Sequence, residues 1–288
     1  MKRIIKKTTD NAVVGIVTAM LVISLITTFF AMAQLVYVPI IMEQREAEHM
    51  DKVAEQFGFL TSVIDKQAAD GRKGIPIAAF ITLGSKELPF LISSRAYGSL
   101  EILENSYIMI IHNGSINNAF RIGGITYSAT NAYYVDQSYA YEAGAMIVSQ
   151  VSGNKMIVRP GFFVDYDKIN ETVNISFAIV NISSLGLKNI ATGSGISGIQ
   201  TEFSDISTNI NLTDVHNITI ITSFSNSWFV FINQLLTEAG LDSKTNPAQF
   251  NLTNTEQALK LEFPSTLTVN IIFKIIEIQA QIGPGWIE

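Results

Sequence analysis

The sequence predicts an α+β protein: a long N-terminal hydrophobic helix, then an antiparallel β-sandwich-like head carrying one short packed helix. Three observations lead there. No charged side chain occurs from Asn11 through Met42, a run well beyond the ~20 apolar residues that cross a bilayer. Past that run, apolar residues recur at helical spacing as far as Ile64. From Ile75 onward the period falls to two, in short segments separated by Gly, Asn and Ser.

The elements follow in order. Residues 1–11 form a basic leader, with Lys2, Arg3, Lys6 and Lys7 against Asp10. Such a cluster keeps its end of the chain in the cytoplasm and sends the rest across, so a single pass with an external body is expected. A cleaved secretory signal has an apolar core of only ~7–15 residues followed by a small-residue cut site. Here the core is longer, and Glu43-Gln44-Arg45-Glu46 offers no such site. The helix is expected over 12–70, with its transmembrane part at 12–38. Pro39 removes one backbone donor and is expected to kink it. Val53, Phe57, Leu60 and Ile64 recur at spacings of four, three and four, which marks an amphipathic continuation. Asp70-Gly71 and Lys73-Gly74 supply its stop.

Residues 75–288 form the expected β-rich extracellular head. Thr172–Val180 is the clearest strand: Val173, Ile175, Phe177 and Ile179 alternate with polar or small residues. Further strands are expected at 106–111, 124–129, 132–141, 143–150, 155–165, 200–203, 215–223, 258–263 and 267–282. In the last, the apolar set switches phase, from Leu267, Val269, Ile271, Phe273 and Ile275 to Ile276, Ile278, Ala280 and Ile282. A bulge near Lys274–Ile276 would bring both sets onto one core. Trp228, Phe231, Ile232, Leu235, Leu236 and Ala239 trace a helical stripe, with Ser225 or Ser227 as the expected cap and Gly240 as the expected end.

Composition narrows the function. Without Lys2, Arg3, Lys6, Lys7 and Asp10 the chain holds 15 basic and 24 acidic residues, a net of −9. That lacks the basic footprint of a nucleic-acid binder. The absence of cysteine excludes disulfides and thiolate chemistry. His49, His112 and His216 have no metal-ligand spacing to one another, and Asp165 with Asp167 reads as a solvated turn more readily than a cation site. Gly193-Ser194-Gly195-Ile196-Ser197-Gly198 matches the G-x-G-x-x-G spacing of dinucleotide-binding loops, but a strand or loop follows it where a helix is required. Tyr133, Val135, Tyr139 and Tyr141 read as core packing, with a subunit-contact stripe as the alternative. No nucleophile–base–acid set stands out. A non-enzymatic protein is expected, with no catalytic, cofactor-binding or metal residues.

Seven Asn-x-Ser/Thr triplets begin at Asn113, Asn170, Asn174, Asn181, Asn211, Asn217 and Asn251. Composition alone gives roughly three of these N-glycosylation acceptor motifs. All lie beyond the membrane segment, which suits a glycosylated external surface.

Taken together, the basic leader Lys2–Lys7, the polar step Thr8–Asn11, the hydrophobic helix Ala12–Val38 running past a proline and the β-rich head resemble archaeal type IV pilin-like proteins. The segment from Tyr134 to Ile147 and the end Gln281–Glu288 look like an uncharacterised archaeal family of single-helix surface proteins. The resemblance implies leader removal by a prepilin-type peptidase between Asn11 and Ala12. The freed helices would then bundle, copy against copy, into a filament core with the heads outside. Ile16 would be the fifth residue after that cut, where bacterial pilins usually carry Glu. The function expected is therefore a structural subunit of an extracellular filament, held by membrane lipid before assembly and engaging assembly machinery. The alternative is a monomeric anchored binding module, such as an adhesin, sensor or envelope-attachment protein.

Overall fold

The computed structural model describes residues 5–89 (side chains from Val13 onward), 93–114, 116–186, 188–244 and 248–283. Lys2 and Arg3 of the expected leader, and the end beyond Gly283, lie outside the described residues.

The expected long helix is one continuous rod in three parts: α1 (Ile5–Met32), a π-helical turn (Ala33–Tyr37) and α2 (Val38–Asp70). The π turn answers Pro39. A proline at that position has no N–H to offer the carbonyl four residues back. The chain widens by one residue instead, and the N–H of Val38 reaches Ala33 O. A π turn thus stands just ahead of Pro39. Gly71, in left-handed conformation at φ 61°, ends the rod, and its N–H bonds Gln67 O.

α2 is amphipathic over its whole length. Val38, Met42, Glu46, His49, Val53, Phe57, Leu60, Ile64 and Gln67 form its buried face, at the three-and-four spacing that keeps one stripe inward. The segment Val13–Tyr37 is the opposite case. Its residues are exposed or partly exposed on every side, Leu25 at 72% and Leu35 at 75% among them.

The head holds β1 (Ile77–Thr82), β2 (Tyr97–Asn113), β3 (Ile116–Thr130), β4 (Gln137–Glu142), β5 (Ala145–Gln150), β6 (Gly153–Val158), β7 (Phe162–Asp167), β8 (Thr172–Ser184), β9 (Ile190–Gly193), β10 (Ile196–Ile206), β11 (Ile210–Leu212), β12 (Val215–Thr222), α3 (Ser225–Glu238), β13 (Asn251–Asn254), β14 (Ala258–Glu262) and β15 (Thr268–Ile282). One sheet runs β1-β10-β15-β8-β7, with β11 also on β15. The other runs β13-β14-β12-β2-β3-β4-β5-β6, with β9 also on β2. All described pairings are antiparallel except the long parallel pair β8–β15.

That parallel pair explains the phase switch. Register is unbroken from Thr268↔Thr172 to Ala280↔Ser184, so the expected bulge at Lys274–Ile276 is absent. The two apolar sets instead face opposite sides of the sheet and serve two cores. Val269, Ile271 and Phe273, with Val173, Ile175, Phe177 and Ile179, pack into a first core that also takes Trp228, Phe231 and Leu236 of α3. Ile276, Ile278, Ala280 and Ile282, with Val180 and Ile182, pack into a second core built on Val53, Phe57, Leu60 and Ile64 of α2. A register shift beside this half of β15 lies in its neighbour β10, between Phe203 and Asp205.

The second sheet changes face as well: Ile122 of β3 joins the first core, and Ile125 and Tyr127 the second. The intervening Gly123 lets the sheets touch, because a Cβ there would overlap the Ile182 carbonyl of β8. Gly123 N donates to Asn181 Oδ1 at 2.7 Å, and Asn181 Nδ2 donates to Glu277 Oε2 at 2.8 Å. One asparagine thereby ties the two sheets where Gly123 lets them touch.

Two other expectations are corrected. The strand expected at 155–165 is two strands in different sheets, broken at Pro160, which cannot donate to a ladder. Ser225 and Ser227 do not cap α3. The cap comes from outside: Asn154 Oδ1 accepts from Ser227 N at 2.9 Å, and Thr222 Oγ1 accepts from Phe224 N at 3.1 Å. Gly240, at φ 91°, ends the helix as expected.

Candidate functional site

The densest polar chemistry lies where α2 enters the head. Glu46 is fully buried. Its Oε1 accepts from Ala132 N at 3.0 Å, and its Oε2 accepts from Tyr133 N at 2.7 Å and Tyr134 N at 2.8 Å. Successive amides aimed at one carboxylate make an anion nest. The loop presenting them is itself fixed, since Asn131 donates to Asp136 Oδ1 and to Val135 O. This is why 132–136, expected as strand, forms a loop: its amides belong to Glu46 and not to a ladder.

Further bonds run up the helix. Gln56 makes a two-way pair with Thr82, accepting from its N–H at 2.8 Å and donating to its Oγ1 at 3.1 Å. Tyr139 stacks on Phe57 at 6.0 Å between ring centroids. Tyr141 Oη donates to Asp65 Oδ1 at 3.0 Å, and burial raises the Asp65 carboxyl above its ordinary range. Gln67 Nε2 donates to Thr201 O at 2.7 Å. Tyr139 and Tyr141 are thus core residues, while Tyr133 and Val135 belong to the loop.

His49 is buried, not on an open charged face. Its Nε2 meets Thr82 O at 3.0 Å and its Nδ1 has no protein partner. Desolvation lowers its pKa, so the ring favours its neutral form. Nearby, Arg45 Nη1 donates to Glu87 O at 2.9 Å.

A second polar group is sealed inside the first core. Glu142, 1% exposed, accepts from Thr222 Oγ1 at 2.7 Å and from Trp228 Nε1 at 2.8 Å. Burial pushes its pKa up to about 7. The cavity in this core holds only about 30 Å³ and is lined by apolar side chains such as Met109, Ile175, Ile232 and Leu261. It offers room for about one water and no polar partner for it. Glu142 therefore fixes α3 to the sheet and faces no substrate-sized space.

Among the described residues, no group of three His, Asp or Glu side chains is placed to hold a metal ion. Asp165 lies opposite Asn174 in the β7–β8 ladder, while Asp167 closes a turn by accepting from Ile169 N and Asn170 N. His112 and His216 sit on β2 and β12 in the second sheet, and His216 lies 3.9 Å from Asp214. The segment 193–198 connects β9 to β10, strand to strand, so it opens no helix. Asn170, Asn174, Asn211 and Asn251 are exposed, whereas Asn113, Asn181 and Asn217 are half-buried. Asn11 and Ala12 fall inside α1.

Among the described residues, one helix, Val13–Asp70, is long and apolar enough to cross a membrane. Comparison with family models, curated proteins and solved structures gives no match to this chain.

Glu46, His49 and Glu142 were missed as site residues. Glu46 carried a readable signal: it falls four residues after Met42 and four before Met50, a charge on the apolar stripe.

Proposed function

We propose that the chain is a structural subunit of an extracellular filament, its apolar helix anchored in the membrane before assembly and bundled with copies of itself afterwards. The observation that carries this reading is the all-round apolar segment Val13–Tyr37, projecting from a helix whose other half is built into the head. A helix apolar on every side must be covered by lipid or by other helices. The clamp around Glu46, Gln56 and Gln67 makes helix and head one rigid piece, which suits a subunit that transmits load along an assembly. In this reading the leader is cut before Ala12 and the exposed sequons carry glycans.

A specific observation favours the monomeric anchored module as second reading. Val38 and Met42 are buried by the head, so part of the uncharged run is already used. The remaining Val13–Tyr37 is about 37 Å long at 1.5 Å per residue, close to one tilted crossing of a ~30 Å hydrocarbon layer.

N-terminal sequencing of the protein from its native host, with imaging of the same fraction, separates the two. A terminus at Ala12 in filamentous material supports the subunit. An intact Met1–Lys7 in dispersed membrane protein overturns it and leaves the anchored module.

A further inference from the structure

The outer face of the first sheet carries an apolar patch that the fold leaves bare. Phe163, 70% exposed, stands on β7, the last strand at that edge, and Ile272, 48% exposed, stands on β15. The register puts both in one row with Ser176 of β8 between them, since Phe163 lies opposite Ser176 and Ser176 opposite Ile272. Two strand spacings, about 10 Å, separate the two apolar side chains. With the small Ser176 as floor they wall an open groove of about 310 Å³, whose rim includes Asn209 and Lys274. An exposed aromatic ring on an edge strand invites pairing with another chain unless something covers it.

Two acceptor motifs for N-linked sugar open onto this groove. Asn174 lies on the same strand and face as Ser176, two residues or about 7 Å along β8. It is diagonal to Phe163, a position from which long side chains reach one another. Its Oδ1 accepts from Asn270 Nδ2 at 3.1 Å, so Nδ2 can take a sugar while the Asn270 bond survives. At the other end of the row, Asn211 stands directly opposite Ile272. A sugar ring has one face of C–H groups and a rim of hydroxyls. The negative face of a phenyl ring attracts such C–H groups, and Asn209 and Lys274 offer hydrogen bonds to the hydroxyls. A flat protein partner would have to clear sugars at both ends of the row. The sugar on Asn174, by contrast, is delivered to the groove by its own covalent bond, at high effective concentration.

We propose that the first sugars of an N-linked glycan on Asn174 lie in this groove, one C–H face against the Phe163 ring. The proposal rests on the reading of the head as a glycosylated external surface and is independent of filament assembly.

The test compares variants of the full-length protein expressed in the native host, by glycopeptide mass spectrometry and by thermal unfolding in detergent. Ser176→Ala destroys the acceptor motif but keeps Asn174 and its Asn270 bond, whereas Ser176→Thr keeps the motif. Phe163→Thr removes the ring at an exposed strand position where Thr is favoured, so the fold is kept. Asn174 is expected to be modified in the parent and in Ser176→Thr, and bare in Ser176→Ala. Loss of the sugar is expected to lower Tm by roughly 2–4 °C in a domain of this size, and by less than about 1 °C where Phe163→Thr has already removed the ring. An equal loss with and without the ring, or no loss at all, in protein modified at Asn174 overturns the proposal and leaves the glycosylated surface standing. Asn174 bare beside modified Asn170, Asn211 and Asn251 also overturns it alone; all four bare overturns the glycosylated surface with it. Assembled material that is bare at Asn174 and dispersed by Phe163→Thr assigns the groove to a second copy and overturns the sugar.

Discussion

At the residue scale, two buried carboxylates dominate. Glu142 is held near pH 7 by burial, well above the ordinary 4.5, so the native state binds its proton more tightly than the unfolded chain. Stability is then full below pH 4.5, falls as pH rises through the window up to about 7, and is flat above it. The loss approaches ~3 kcal/mol at the top of the window. His49 works in the opposite sense, because its lowered pKa makes stability fall as pH drops below 6.5. In Glu142→Gln the acceptor for Thr222 and Trp228 remains and the titration is gone. Urea unfolding between pH 7 and 9 is expected to give the variant the higher midpoint; equal midpoints would refute a buried, titrating Glu142. Glu46 is the contrasting case, a carboxylate with three amide donors. Glu46→Ala leaves those three part-buried donors without their acceptor, at about 1–3 kcal/mol for each one that water does not reach. A loss of at least ~3 kcal/mol is expected in denaturant unfolding, and a loss under 1 kcal/mol would mean that the 132–134 loop finds water instead.

At the element scale, α2 is the middle of the second core and not a handle attached to a finished head. Phe57 is fully buried against Tyr139, so Phe57→Ala is expected to cost about 3–5 kcal/mol. A chain begun at Glu43 keeps most of the buried face of α2 and is expected to give a dispersed two-dimensional NMR spectrum. A chain begun at Ile75 lacks it and is expected to give a collapsed one; a folded product from 75 onward would show that the two cores stand alone. Sequence periodicity exposed this element well, because Val53, Phe57, Leu60 and Ile64 follow the helical stripe and Gly71 offers the left-handed stop. The strand 172–180 and the short helix were legible for the same reason. The parallel β8–β15 pairing was not. Residues 172–184 and 268–280 lie far apart in sequence, and alternation gives a strand its faces but not its partner. The phase switch at Lys274–Ile276 was visible as a pattern and was read as a bulge, since one core was assumed where two exist. Asn154 as the cap of α3 was hidden because caps supplied from another element leave no local spacing.

At the scale of the whole molecule, the seven sequons can be ranked by what the fold leaves free. Asn181 spends both ends of its amide, its oxygen on Gly123 of the other sheet and its nitrogen on Glu277 of the neighbouring strand β15, and a glycan on its nitrogen would break the Glu277 bond and crowd the crossing. Asn217 is half-buried, with its Oδ1 enclosed and unpartnered. Asn174 lies on the outer face of the first sheet, where Asn270 Nδ2 reaches its Oδ1 at 3.1 Å. Asn211 stands opposite Ile272 on β11, one strand further across that sheet, and Asn170 sits in the turn between β7 and β8. Glycans on these three would surround the exposed Phe163 and Ile272 and keep that face turned to solvent. Head-to-head contacts in a filament would then fall on other surfaces. Glycopeptide mass spectrometry of the native protein is therefore expected to find Asn170, Asn174, Asn211 and Asn251 modified and Asn181 bare. Modification of Asn181 in folded material would mean that the sheet crossing tolerates loss of its tie. Bare Asn174 and Asn211 beside an occupied Asn251 would instead mark the Phe163–Ile272 face as covered before a glycan can reach it, which is the pattern a subunit contact on that sheet would leave.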